Sequence, residues 1–415
     1  MRLQSALLAS TCLFFAACSA PTSDTEPAES ETAETEISAE DRLMEQLIDA
    51  QPGDVIEIPE GTFKFTRGLS LTVDGVTIRG QGMDKTVLSF ADQIAGAEGL
   101  LVTASDFTIE DLAIEDAKGD GLKINEGENI TIRRVRAEWT GGPKTENGAY
   151  GIYPVQTTNV LIEDTVTIGA SDAGLYVGQS KDVIVRRNRA EYNVAGIEIE
   201  NTVNADVYEN VATNNTGGIL VFNMPQLQQE GKATRVFNNR VFANNTDNFG
   251  HPGTPVASVP AGTGVIVNSN DLVEIFGNEI SDNQTGNIIV SSLHTTGYSE
   301  ESASASFDPY PEGIFIYDNT FSGGGDVPDT PELQMALQLM FGDEGRLPDI
   351  IWDGYYDEAK LVDGQMPDAL KICIDNGDVG VLNANGPSGF MQPSTDKAPF
   401  ECSLAKLPAV DLGRS

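Results

Sequence analysis

Asn159-Val-Leu-Ile-Glu-Asp164, Asp182-Val-Ile-Val-Arg-Arg187 and Asn204-Ala-Asp-Val-Tyr-Glu209 open three successive copies of one pattern. Each is followed by a second apolar run: Gly174-Leu-Tyr-Val177, Gly196-Ile-Glu-Ile199 and Gly218-Ile-Leu-Val221. Val160, Val183 and Ala205 mark the period, 23 residues and then 22. A fixed period of this size is the mark of a stacked solenoid. The runs alternate apolar and polar residues, as strands do, and are too short to bury a face alone, so each coil must cover the next. No leucine ladder recurs. Asn188, Asn210, Asn239, Asn278 and Asn319 recur instead, each after a strand pattern, where asparagine suits a tight turn and can hydrogen-bond from coil to coil. The pattern predicts an all-β right-handed parallel β-helix.

Working outward, Gly53-Asp-Val-Ile-Glu-Ile-Pro-Glu-Gly61 and Gly75-Val-Thr-Ile-Arg-Gly-Gln-Gly82 read as the opening coils, capped by a short amphipathic helix over residues 41–50. The coils are expected over residues 42–325, and residues 326–415, with a helix near Pro331–Phe341, read as a C-terminal cap. Arg2, the apolar run 6–15 and Phe15-Ala-Ala-Cys18 read as a signal peptide over residues 1–17. The site resembles a bacterial lipobox, with Cys18 as the lipidated residue and plain secretion as the alternative. Residues 18–41, rich in Glu, Thr, Ser and Ala, read as an acidic tether. Cys373 and Cys402 remain, and one disulfide is expected in an exported chain, with two buried thiols as the other choice. The formal charge of −38 argues against nucleic acid, and against a polyanionic glycan unless calcium bridges it or a local basic patch overrides the global field.

Aligning the coils sorts the charges. One outward column reads Arg79, Glu110, Arg133, Glu163, Arg186, and its neighbour Asp111, Arg134, Asp164, Arg187, Glu209. Alternating signs in strands about 4.8 Å apart predict a structural ion ladder that fixes register, not a ligand site. The second strand of each coil differs, with outward positions Lys123, Tyr153, Tyr176, Glu198 and then apolar Leu220. Asp120, Asn125, Tyr150, Glu200 and Phe222 lie beside them, and the loops 138–149 and 224–232 are placed to wall the two ends. Aromatic faces with carboxylates and one cation are the residue types that hold sugars and move protons on them. Tyr176, Glu198 and Lys123 are the expected catalytic groups, and Asp120, Tyr150, Tyr153, Glu200 and Phe222 the substrate-binding ones. A tyrosine or lysine base with a carboxylate would suit β-elimination or C5 epimerisation of a uronic acid. His251 and His294, the two histidines, fall in long loops and read as ordinary loop residues, with a catalytic or metal pair near the groove as the alternative. No metal ligand set and no cofactor motif stands out, and calcium remains the one cation to consider.

Residues 50–325 resemble the pectin-lyase-like β-helix proteins, including those with carbohydrate-binding and sugar-hydrolase repeats. More closely, Gly151-Ile-Tyr-Pro-Val155, Ser171-Asp-Ala-Gly-Leu-Tyr-Val-Gly178, Val194-Ala-Gly-Ile-Glu-Ile-Glu-Asn201, Asn215-Thr-Gly-Gly-Ile-Leu-Val-Phe222 and Asp308-Pro-Tyr-Pro-Glu312 resemble a bacterial family of exported β-helix lipoproteins without an established activity. That resemblance implies an exported c-type cytochrome-like protein as a partner. Mannuronan C5-epimerases share the fold and carry Tyr-Gly-Ile-Asp-Pro-His-Asp. Tyr150-Gly-Ile-Tyr-Pro-Val-Gln156 keeps that frame but replaces both acids and the histidine, so the epimerase residues do not carry over. The chain thus reads as a lipid-anchored envelope protein, outer-membrane, periplasmic or at the cell surface, that binds and processes a polysaccharide in a lyase- or epimerase-like way. The alternative is a non-catalytic scaffold that docks the exported partner on an apolar platform around Leu220 and Phe222.

Overall fold

The structure, a computed structural model, describes residues 37–296, 303–342 and 344–413, of which residues 38–413 belong to one compact unit. The expected signal peptide, Cys18 and most of the acidic tether lie outside the described residues. Helix α1 (Ala39–Ile48) takes up the last three residues of the stretch expected as tether. The Ser38 side chain accepts the Asp41 N–H at its start, and Leu43 and Leu47 turn inward to close the top of the stack.

Two parallel sheets run the length of the molecule. Sheet 1 has 19 strands, a longer and a shorter one from most coils, and sheet 2 has 11 strands, one per coil. The middle coils repeat one sequence of bends. Lys181–Arg186 is followed by Arg187 in the left-handed region (φ 56) and by Asn188, then by Arg189–Glu191. Tyr192 (φ 60) and Asn193 turn the chain again into Ala195–Glu200 of sheet 2. The inward side chains, among them Val183, Val185, Ile197, Ile199, Ile219 and Val221, form one continuous apolar core. Pairing runs past residue 325: Ile289 pairs with Ile351 and Ile351 with Leu382 in sheet 2, and Phe315 pairs with Cys373 in sheet 1. Helix α2 (Pro331–Met340) packs Leu333 and Ala336 on the outside of these last rungs.

Both inner corners carry asparagine ladders. Asn188, Asn210, Asn239, Asn278 and Asn319 form the expected one, with each Nδ2 donating to the Oδ1 of the next coil at 2.8–3.0 Å. The second, Asn193–Asn215–Asn244–Asn283, was not anticipated and repeats the bonds at 2.9–3.1 Å.

The ion ladder has the expected register. Arg79 pairs with Glu110, Glu110 with Arg133, Arg133 with Glu163 and Glu163 with Arg186. The neighbouring column sits in the bends and not on straight strand, because Asp111, Arg134, Asp164, Arg187 and Glu209 all have φ between 49 and 62. Glu163 is the keystone: Arg186 Nη2 and Arg187 Nη2 donate to its Oε2 at 2.6 and 2.7 Å, and Arg133 lies 3.5 Å away. Glu163→Ala would leave three guanidinium groups facing one another. We expect a loss of about 2 kcal/mol, above the ~1 kcal/mol of an exposed pair because Glu163 is buried, shrinking in 1 M salt. Urea midpoints at low and high salt measure it.

Below Arg186 the same column turns aromatic, with Tyr208, Phe237, Phe276 and Tyr317 stacked at 4.7, 4.8 and 4.9 Å. The C-terminal segment returns over this part of sheet 1. It is tied by the Cys373–Cys402 disulfide, Lys406 lies over the Tyr317 ring, and Val410 N–H donates to Asp206.

Candidate functional site

The outward column of sheet 2 is built as its register requires. Lys123 pairs with Tyr153, Tyr176 with Glu198, and Glu198 with Leu220. The rings of Tyr150, Tyr153 and Tyr176 form one cluster, with centroids 4.4 Å (150–153), 4.6 Å (150–176) and 4.9 Å (153–176) apart. Tyr176 reaches its neighbour because Gly178 has no side chain. A Cβ there would lie 2.3 Å from the Tyr176 ring, so the ring lies across Gly178 and points into the next coil. Its hydroxyl then donates to Glu200 Oε1 at 2.7 Å. Tyr150 donates to Asp172 Oδ2 at a longer 3.4 Å.

Asp172, Glu198 and Glu200 form a carboxylate cluster in which Asp172 is the member that sequence reasoning missed. It lies in the turn just before the Ala173–Gly178 strand, within the quoted Ser171–Gly178 motif but outside the alternating positions. No cation is bonded to these three carboxyls among the described residues. Burial and the charge of Glu200 push Asp172 up to about 7, and burial pushes Glu200 up to about 7 against the pull of the Tyr176 hydroxyl. Burial, then Asp172 and Glu200, raise Glu198 well above the usual carboxylate range. Glu198 is 4 % exposed and its Oε2 has no hydrogen-bond partner. Burial and Glu200 also raise the Tyr176 phenol, which suits it to donating a proton or hydrogen bond rather than to serving as a base.

Lys123 stands one rung above Tyr153 and two above Tyr176. Its Nζ lies 3.7 Å from Asp120 and 3.8 Å from Glu98, and 4.9 Å from the centre of the Tyr153 ring. Burial pushes Asp120 up to about 6 in spite of Lys123, and pushes the Tyr153 phenol up to about 12. Asn125, Glu200 and Phe222 belong to the adjoining register column, Asn125 opposite Val155 and Glu200 opposite Phe222. Lys123, Tyr150, Tyr153, Asp172 and Glu200 are part-exposed, whereas Tyr176 and Glu198 form the floor.

The lower boundary differs from the expectation. The loop over residues 224–231 lies against the strand ends, where Asn201 donates to the Gln229 carbonyl at 2.6 Å. The segment that covers the sheet face comes from residues 249–259, whose Val256 and Val259 pack with Leu220, Phe222 and Ile266. Leu220 and Phe222 are thereby buried, so the open apolar platform considered for a docking partner is already filled by the chain itself. A cavity of about 190 Å³ continues below, between Phe222, Ile266, Ile289 and helix α2.

His251 is exposed at a turn and His294 packs between the rings of Tyr310 and Tyr355, so the two do not form a pair. Among the described residues one acidic trio, Asp271–Asp308–Glu312, brings its donor atoms within 4.8 Å of one another. Lys360 bonds to Asp308 there and lies 2.8 Å from Glu312, which supplies the cation.

Residues 66–228 match the family described as the right handed beta helix region. No curated protein matches the sequence. Among solved structures, the chain is similar to the A-module of mannuronan C-5 epimerase AlgE4 from Azotobacter vinelandii, at 18% identity and TM-score 0.46, over 78% of this chain and 86% of that one. It is similar to the periplasmic alginate epimerase AlgG at 14% identity and TM-score 0.44, over 66% and 74%. An alginate lyase from Paenibacillus sp. str. FPU-7 matches at 15% identity and TM-score 0.33, over 69% and 96%. By its strand pairing the chain folds as a right-handed parallel β-helix, and the family match over residues 66–228 agrees with that fold.

Proposed function

We propose that this protein binds carbohydrate on the outer face of sheet 2 and processes it by general acid–base chemistry, held at the cell envelope by a lipid on Cys18. The observation that carries the reading is a cluster of three tyrosine rings, two of them hydrogen-bonded to the part-exposed carboxyls of Asp172 and Glu200. Glu200 is the base in this reading, because a group near pH 7 combines ionisation with proton affinity. Tyr176 fixes its orientation through the 2.7 Å bond, and Glu198, whose carboxyl burial raises well above the usual range, lies beneath as the acid or proton reserve. Tyr150 and Tyr153 offer faces to a sugar ring, and Asp120 and Lys123 bind its hydroxyls. Lyase- or epimerase-like abstraction would need a uronate carboxylate neutralised by Lys123, whose charge Asp120 and Glu98 already share. Docking of a c-type cytochrome-like partner remains the alternative, though burial of Leu220 and Phe222 removes the platform that favoured it.

The test is a panel of neutral, amino and uronic oligosaccharides, with new reducing ends, unsaturated products and solvent-proton exchange followed. Glu200→Gln should lower turnover by about 100-fold or more, the usual scale for a lost general base, with binding nearly unchanged. Tyr153→Ala should weaken binding about tenfold, as expected for a lost stacking face. Absence of saturable binding across the panel, or activity indifferent to both variants, would overturn the reading.

A further inference from the structure

The carboxylate–tyrosine cluster also indicates which sugar it takes. Asp172, Glu198 and Glu200 lie on or beside two adjacent rungs, and the nearest lysine on this face, Lys123, is already shared by Asp120 and Glu98. Three acids are thus gathered with no internal countercharge bonded to them. The buried Oε2 of Glu198 lacks any hydrogen-bond donor, a state that costs free energy until a ligand supplies one.

Around these acids stand three ring faces. Aromatic faces attract cations within about 6 Å of the ring centre, and more strongly when water is excluded. The chain shows this on itself, with the Lys123 ammonium 4.9 Å from the Tyr153 centroid. The three rings pack against one another, with Tyr150 and Tyr153 part-exposed, and tyrosine rings beside carboxylates are a chemistry that attracts an ammonium group and disfavours a carboxylate. The formal charge of −38 biases the approach the same way.

A metal ion fits this cluster less well. The Asp172, Glu198 and Glu200 oxygens are not among the described acidic trios whose donors all lie within 4.8 Å of one another. An ammonium carried on a ring, with three N–H donors and an apolar body, can bridge a wider spread of acceptors. We propose, building on the carbohydrate reading, that the site selects amino sugars with a free amine, whose ammonium group sits among Tyr150, Tyr153 and Tyr176 and donates to Glu198 and Glu200.

The experiment is titration calorimetry of the full chain with a glucosamine oligosaccharide, its N-acetylated counterpart of equal length and a uronic acid oligosaccharide. The free-amine oligosaccharide is expected to bind at least tenfold more tightly than the N-acetylated one, with the advantage falling as salt rises. Glu198→Gln and Asp172→Asn should each reduce that advantage, read as the ratio of the two affinities, to below threefold. Melting curves confirm that each variant is folded. Equal binding of the two, or preference for the uronic acid oligosaccharide, would overturn the ammonium assignment and leave the carbohydrate reading standing. No binding by any of the three would overturn both.

Discussion

Replacing Asn210 by alanine is expected to cost about 4 kcal/mol, more than any surface change on this solenoid. Its side chain is buried at 1 % exposure and serves three coils at once. Oδ1 accepts the Asn188 N–H at 2.9 Å and the Asn188 Nδ2 at 3.0 Å, while its own Nδ2 donates to the Val185 carbonyl and to Asn239 Oδ1 at 3.0 Å each. Alanine removes all four bonds and strands the Asn188 N–H away from water. Net bonds of about 1 kcal/mol each, with an added penalty for a buried unpaired donor, give the figure. Asn210→Asp should be no milder, since Oδ1 survives but the amide donor is lost and a charge is buried. Half-buried Asn204, with one bond to Asp182, is the control and should lose under 1 kcal/mol. Because each coil is held by its neighbours, the urea transition of Asn210→Ala should also broaden, the lower coils separating from the upper. A loss below 1 kcal/mol would mean that the ladder decorates the corner without holding it.

The geometry of the corner explains why asparagine recurs. In each coil the preceding residue takes the left-handed region: Arg187, Glu209, Asn238, Gly277 and Asp318 before the first ladder. The following N–H then faces along the stack, where the next asparagine's Oδ1 meets it. The spacing alone makes this ladder legible. The second is written into the same repeat, because Asn193, Asn215, Asn244 and Asn283 each stand five residues after a member of the first.

The columns on the sheet faces are readable for the same physical reason. A parallel stack with one strand per rung converts sequence period directly into spatial neighbourhood, so Tyr153, Tyr176, Glu198 and Leu220 had to follow one another. Insertions obey no such rule. Nothing periodic shows that residues 249–259 fold back on Leu220 and Phe222, or that the chain beyond Cys402 runs along the Tyr317 face of sheet 1. Asp172 escapes the pattern because it projects from a turn, where strand alternation does not apply. The direction of Tyr176 depends on an absent side chain at Gly178, which sequence shows only once the two are known to share a face.

Glu200→Gln should make the protein more stable and less active together. The carboxyl titrates near 7 in the fold against 4.5 when unperturbed, so the folded state holds the extra proton between those values. Stability therefore falls as pH rises from about 4.5 to about 7 and stays low above that, the sign expected for a raised carboxylate. A shift of this size corresponds to roughly 3 kcal/mol, which partial solvent access reduces to about 2. Glutamine carries no charge at any pH, and its Oε1 can still accept the Tyr176 hydroxyl. The variant should gain about 2 kcal/mol at pH 8 and almost nothing at pH 4, read as the difference between urea midpoints at the two pH values. Glu163→Ala should behave in the opposite sense at pH 8, since its carboxylate is held by three arginines. A Glu200→Gln variant that is destabilised at pH 8 would mean that the carboxylate is a structural partner, and the base would have to be sought elsewhere. Gain in stability with loss of turnover would locate on one side chain the strain that a working acid–base site imposes on its scaffold.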